Sequence, residues 1–174
     1  VSKIWAFIRQ LVGNGNAAAI GIFAFIVILC LLLYRPSHAA DVYVEGGSSF
    51  GTQGYGPVLG LDARVPVNPV SNDGLYVFAG TDLWGSVRFD GQTVPNNWDW
   101  HAGLETCRWR VCGRIGAVYL QREDAINGSH TDYNLGLSFQ LADRWKLQVS
   151  HISDAGTTPV NIGRQAISIA YRLQ

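Results

Sequence analysis

Three residues near the C-terminus carry the chemistry that this sequence can offer. His151 and Ser153 stand two apart, and Gln165 follows beyond a polar loop from Asp154 to Arg164. A serine hydroxyl beside an imidazole is the pairing needed for attack on an acyl group, because the ring takes the proton that the hydroxyl must lose. If 144–153 is a strand, side chains alternate with period two, so Trp145, Leu147, Val149, His151 and Ser153 share one face. Lys146, Gln148 and Ser150 take the other. Past the loop, Gln165, Ile167, Ile169, Tyr171 and Leu173 continue on one face, with Ala166, Ser168, Ala170 and Arg172 opposite. Polar groups fit for acyl chemistry, set in an otherwise apolar stripe, are what an enzyme acting on lipid needs.

Those residues require a scaffold, and after residue 40 the chain offers strands. From Asp41 the hydrophobic period is two, and no later stretch shows a helical stripe of useful length. Eight strands are expected, over about 41–48, 57–67, 74–84, 98–107, 110–121, 131–141, 144–153 and 165–173. In the first, Val42 and Val44 oppose Tyr43 and Glu45; in the second, Leu59, Leu61, Ala63 and Val65 oppose Asp62 and Arg64. Both faces of the third are mostly apolar, which leaves its orientation open. Trp98, Trp100, Ala102 and Leu104 oppose Asp99, His101 and Glu105 in the fourth. Val111, Ile115, Ala117 and Tyr119 oppose Arg110 and Arg114 in the fifth, and Tyr133, Leu135, Leu137 and Phe139 oppose Asn134, Ser138 and Gln140 in the sixth.

An even number of amphipathic strands of this length predicts an all-β fold: an eight-stranded antiparallel transmembrane β-barrel with its apolar face outward. The charges on the other face, among them Glu45, Asp62, Arg64, Asp99, Glu105 and Arg114, must then pair across a narrow lumen, because unpaired buried charge is costly. The gaps near 49–56, 85–97, 122–130 and 154–164 are long, those at 108–109 and 142–143 are tight, and 68–73 is intermediate. Long loops at one end and short turns at the other are the outer-membrane convention. Strand parity sets His151 and Ser153 at the extracellular end.

Residues 1–16 carry Lys3 and Arg9 and no acid, and 17–34 is an uncharged apolar run. This leader, 1–40, reads as a signal peptide with small residues near a cut site after Ser37, or as an uncleaved signal anchor of spanning length. The barrel domain then occupies 41–174. Lysine and arginine number 13 against 13 acids, so no electrostatic case for nucleic acid exists. Charged residues are only 15%, below the roughly 25% of soluble domains, while glycine and aromatics are plentiful, which suits a membrane barrel. Cys107 and Cys112 flank one tight turn on inward parity, as a cross-strand disulfide or as two free thiols. No metal site is expected: there is no CxxC, and His101 alone is not a ligand set.

The segment His151-Ile152-Ser153-Asp154-Ala155-Gly156, followed by Asn161-Ile162-Gly163, resembles the signature of the PagL-type lipid A 3-O-deacylases. These are eight-stranded outer-membrane barrels that hydrolyse an ester-linked acyl chain of lipopolysaccharide. Their pattern is His-x-Ser-Asn near the end of the penultimate strand, then an Asn-x-Gly-like loop, then a Glu early in the last strand. The resemblance implies Ser153 as nucleophile, His151 as general base, and Gly156 and Asn161 as donors to the oxyanion, with no cofactor. Two positions depart from the pattern. Asp154 stands where the family has Asn, and Gln165 where it has the acid that orients the histidine. Gln165 can accept from the imidazole but brings no charge, and Asp154 is a candidate to supply it.

The reading that follows is an outer-membrane esterase whose partners are lipopolysaccharide and membrane lipids. Its competitors are a non-catalytic barrel acting through extracellular loops, and a soluble barrel held at the inner membrane by an uncleaved leader. The sequence leaves open whether the protein is a monomer or a homodimer.

Overall fold

The computed structural model describes residues 40–51, 54–67, 74–154 and 163–173. The leader assigned to 1–40 lies outside the described residues apart from Ala40, as do Gly156 and Asn161. Ten strands follow in order: β1 (Asp41–Gly51), β2 (Gly54–Pro66), β3 (Leu75–Trp84), β4 (Val87–Phe89), β5 (Gln92–Val94), β6 (Asn97–Arg108), β7 (Val111–Leu120), β8 (Thr131–Ala142), β9 (Trp145–Ser153) and β10 (Arg164–Arg172). Eight close into an antiparallel barrel in the order β1-β10-β9-β8-β7-β6-β3-β2, and β4 pairs with β5 as a separate hairpin. Closure leaves no strand edge unpaired.

The alternation expected from the sequence holds around the wall. Val44, Leu59, Leu61, Leu104, Ile115, Leu135, Leu137, Phe139, Val149, Ile167 and Ile169 are exposed on the outside. Glu45, Asp62, Asp99, Glu105, Arg114, Lys146 and Gln148 are buried inside. β3, whose orientation was open, turns Phe78, Asp82 and Trp84 inward. Its two faces read alike because the lumen accepts large aromatics there: Phe78 lies under Arg114, 4.4 Å from the guanidinium carbon to the ring centre.

Two expectations about the connections change. The gap near 49–56 closes, because β1 and β2 keep pairing to Gly51↔Gly54 and only residues 52 and 53 separate them. Its Ser and Gly residues hide a strand whose value is backbone pairing, not side-chain burial. The long segment 85–97 holds the β4–β5 hairpin, turned by Asp90 (φ 46°) and Gly91 (φ 75°), the Asp-Gly signal of a two-residue hairpin turn. Val87 and Val94 bury against Ile126 of the next loop, so the hairpin packs onto the loop end of the barrel.

Aromatic residues mark both ends of the outer wall. Trp98 and Tyr133 are exposed at the loop end, Trp145 at the turn end, where its ring packs tilted against Tyr171 with the ring centres 4.7 Å apart. Tyr133 and Ala142, which pairs with Trp145, bracket β8. That span is about 30 Å along the strand at ~3.3 Å per residue, and roughly 21–24 Å along the axis at a tilt of ~35–45°.

The lumen is layered. Nearest the turns, Arg64 pairs with Glu105 and, at 2.9 Å, with Asp41. Above lies a network in which Arg114 Nη2 donates to Asp62 at 2.8 Å and to Glu105 at 3.3 Å. Gln148 Nε2 and Ser168 Oγ donate to Glu45 at 3.1 and 3.0 Å. Above that, Val58, Trp84, Val118, Leu120, Ile152 and Ala166 form an apolar layer. The top layer is polar again, with Arg164 paired to Asp124 and Asn127 donating to Asp132.

Candidate active site

Register decides what His151 meets. β9 and β10 pair so that His151 lies directly opposite Gln165, and β8 sets Leu135 on the other side of His151 and Tyr133 opposite Ser153. β1 places Phe50 beyond Gln165. The outer wall at this height is therefore a row across four strands, Leu135, His151, Gln165 and Phe50, with Ser153 and Tyr133 one step nearer the loops. His151, Ser153 and Gln165 are each half-buried. All stand at the end of the barrel that carries the connections 121–130 and 154–163.

The structure brings Gln165 and His151 into contact: the amide Nε2 lies 3.1 Å from Nδ1 of the ring. The amide can act in two senses. With Nε2–H donating to Nδ1, the ring carries its own proton on Nε2 and cannot serve as a base. With the amide turned over, Oε1 accepts from Nδ1–H and leaves the Nε2 lone pair to receive a proton.

The direction of that lone pair is set by Gly163, which sequence reasoning named only as part of a loop motif. Gly163 has φ +71°, and a Cβ there would stand 2.7 Å from His151 Cε1 and 3.2 Å from Nε2. The Arg164↔Ile152 pair, carried one residue further, sets Gly163 opposite Ser153. So the ring lies over Gly163, at the register position beside Ser153. Ser153 follows His151 by two along one strand face, about 6.6 Å between Cα atoms, a gap that an imidazole and a hydroxymethyl group can bridge. The arrangement supplies a base, a hydroxyl on the same face and a neutral group that orients the base.

Asp154 is placed elsewhere. Next to Ser153 in sequence, it takes the opposite parity and is buried at 1% exposure. The Tyr133↔Ser153 pair, extended by one, sets it opposite Asp132. The carboxylate proposed as a substitute acid therefore belongs to the polar top layer of the lumen, on the other side of the sheet from His151. Gly156 and Asn161 fall outside the described residues. Cys107 and Cys112 are joined in a disulfide between directly paired positions of β6 and β7, at the turn end and far from His151.

The structure of the outer membrane enzyme PagL superposes with TM-score 0.50 over 77% of this chain and 99% of that one, at 18% identity. The likeness is one of fold. A structure described as de novo design of transmembrane beta-barrels superposes equally well, TM-score 0.50 over 76% of this chain and 95% of that chain, at 15% identity. No protein-family model and no curated protein matches the chain. In this chain His151 and Ser153 stand two apart at the end of the penultimate barrel strand, and His151 meets Gln165 early in the last one, where the PagL-type pattern given above has an acid. The charge at that position is what it lacks.

Proposed function

We propose that the protein is an ester hydrolase of the outer membrane that removes an acyl chain from lipid A, its loop end facing outward. The observation that carries this reading is the His151–Gln165 contact across β9 and β10, on an apolar outer wall and beside Ser153. A base, an orienting group and a hydroxyl facing lipid have little use in a purely structural wall, and in this reading the loop end that carries them lies near the headgroups of the outer leaflet.

In this mechanism Ser153 Oγ attacks the ester carbonyl carbon while its proton passes to His151 Nε2. The tetrahedral oxyanion collapses, the bond to the sugar oxygen breaks, and His151 returns the proton to that oxygen. Water, deprotonated by His151, then releases the acyl group from Ser153. Gln165 Oε1 holds Nδ1–H throughout and fixes the tautomer. It offers no charge to the imidazolium, so each step is slower than with a carboxylate. The oxyanion donors are proposed in the loop, at Gly156 and Asn161.

Mass spectrometry of lipid A from cells expressing the wild type and Ser153→Ala tests the reading. Loss of one acyl chain in the wild type alone supports it; loss in both refutes it. A second reading, a non-catalytic barrel acting through its loops, is favoured by one observation: Asp154 turns into the lumen, leaving Gln165 as the group hydrogen-bonded to the ring. Gln165→Glu separates the two. In a hydrolase it raises the deacylation rate by about tenfold or more, a fraction of the ~10⁴ lost when a serine protease triad exchanges its acid for an amide. In a non-catalytic barrel it changes nothing.

A further inference from the structure

His101 was set aside in the sequence for want of partners, and the fold supplies three. It is buried at 3% exposure in the middle of the lumen. Nε2 lies 2.7 Å from Asp62 Oδ1 and Nδ1 lies 2.8 Å from Asp99 Oδ1. Asp82 completes the group: β3 and β6 pair Asp82 directly opposite Asp99, and its Oδ2 is 3.7 Å from His101 Nδ1. One ligand atom from each of Asp82, Asp99 and His101 lies within 4.8 Å of the other two.

Asp82 is the member of this cluster that hydrogen bonding leaves incomplete. Its side chain is 8% exposed, and Oδ1 has no hydrogen-bond partner among the described residues. Two carboxylates directly opposed across a strand pair repel, and a buried one without a partner is strongly unfavourable. Charge counting gives the same result. Glu45, Asp62, Asp82, Asp99 and Glu105 face the fixed cations Arg64, Arg114 and Lys146 in this part of the lumen. Even with His101 as imidazolium, one carboxylate is left over.

We propose that the lumen holds a divalent metal ion of the zinc class between β3 and β6, bound by His101 Nδ1 and by one oxygen each of Asp82 and Asp99, in place of the proton on Nδ1. Ligand atoms at ~2.0–2.1 Å from a tetrahedral ion stand roughly 3.4 Å apart, and the distances from Nδ1 here are 2.8 Å and 3.7 Å. The outer partners are in place. Asp62 receives Nε2–H and is itself held by Arg114, the carboxylate-histidine-metal arrangement that fixes ring orientation. Trp84 Nε1 donates to Asp99 Oδ2 at 2.5 Å, keeping the other oxygen turned to the cluster. Gly80 is required beneath: a Cβ there would overlap Asp62 and His101. The apolar layer around Trp84 covers the site from the loop end, so the ion enters as the barrel closes and its role is structural.

The test is refolding of the full chain into detergent with zinc, with cobalt, or with a chelator, followed by desalting and elemental analysis. The expected result is about one metal ion per folded chain, in the manner of metal coupled to folding, with visible cobalt bands of a four-coordinate site made by these three side chains and one water. Asp82→Asn removes the surplus charge and so folds without metal; it should hold none and lose the cobalt bands. Zinc should raise the unfolding temperature of the wild type and leave that of Asp82→Asn unchanged. Folded wild type that carries no more metal than Asp82→Asn, or an unfolding temperature indifferent to zinc, overturns the proposal and leaves a proton as the neutralising charge.

Discussion

At the scale of single residues, the outer wall carries one polar group too many for a lipid-facing surface. His151 is tolerated there because each of its edges is spoken for: Gln165 at Nδ1 and Gly163 against Cε1 and Nε2. Gly163→Ala is the sharpest test of that fit. The added methyl would strike the ring, and the backbone at φ +71° disfavours any L side chain. Displacing the base by about an ångström costs on the order of 10²-fold in rate. Deacylation should fall by that much while heat-modifiable migration of the folded barrel on gels persists. His151 and Ser153 were legible because period-two alternation puts them on one face, and Gln165 because the resemblance sets it where the orienting acid stands. Gly163 was not, because its role is a contact between strands. His101 was missed for a related reason: Asp62, Asp82 and Asp99 reach it from three strands, and only the register shows that Asp82 and Asp99 are opposed.

At the scale of elements, the wall was readable where one face is charged and the other greasy, as on β6 and β9. It was unreadable on β3, where Phe78 and Trp84 make the inner face apolar, and at the join of β1 and β2, where Ser and Gly give no alternation at all. The segment 85–97 read only as a long connection, because the strands either side of its Asp90-Gly91 turn are three residues each, too short for periodicity to register. The β6–β7 hairpin shows how a strand pair is secured twice. Cys107 and Cys112 are already neighbours in the ladder, with Trp109 left-handed at φ 59° in the turn. A disulfide closing so short a loop removes little chain entropy. The double change Cys107→Ser, Cys112→Ser should lower the unfolding free energy by about 2 kcal/mol or less, measured from urea-dependent unfolding in lipid vesicles.

At the scale of the whole molecule, the chain is a globular protein with its polarity reversed. The charges that would ordinarily solubilise a surface lie inside, many of them in ion pairs, and the side chains that would fill a core face outward. This arrangement is favourable when hydrocarbon surrounds it. Leu137 is 64% exposed in mid-strand, between the aromatic residues that mark the two ends of the wall. Leu137→Arg should cost ~2–4 kcal/mol if this band lies at the bilayer midplane. In a barrel surrounded by water the same change would be close to neutral. Unfolding of the two proteins in vesicles measures the difference directly.

The apolar layer across the lumen has an electrical meaning. Val58, Trp84, Val118, Leu120, Ile152 and Ala166 are buried together, an apolar layer that anything crossing the lumen would have to pass. A hydrated ion drawn by the charges below Trp84 would have to shed its shell to pass, a barrier of the kind that closes hydrophobic gates. A planar bilayer holding many copies of this protein should therefore keep its electrical resistance, which a conductance recording would read directly.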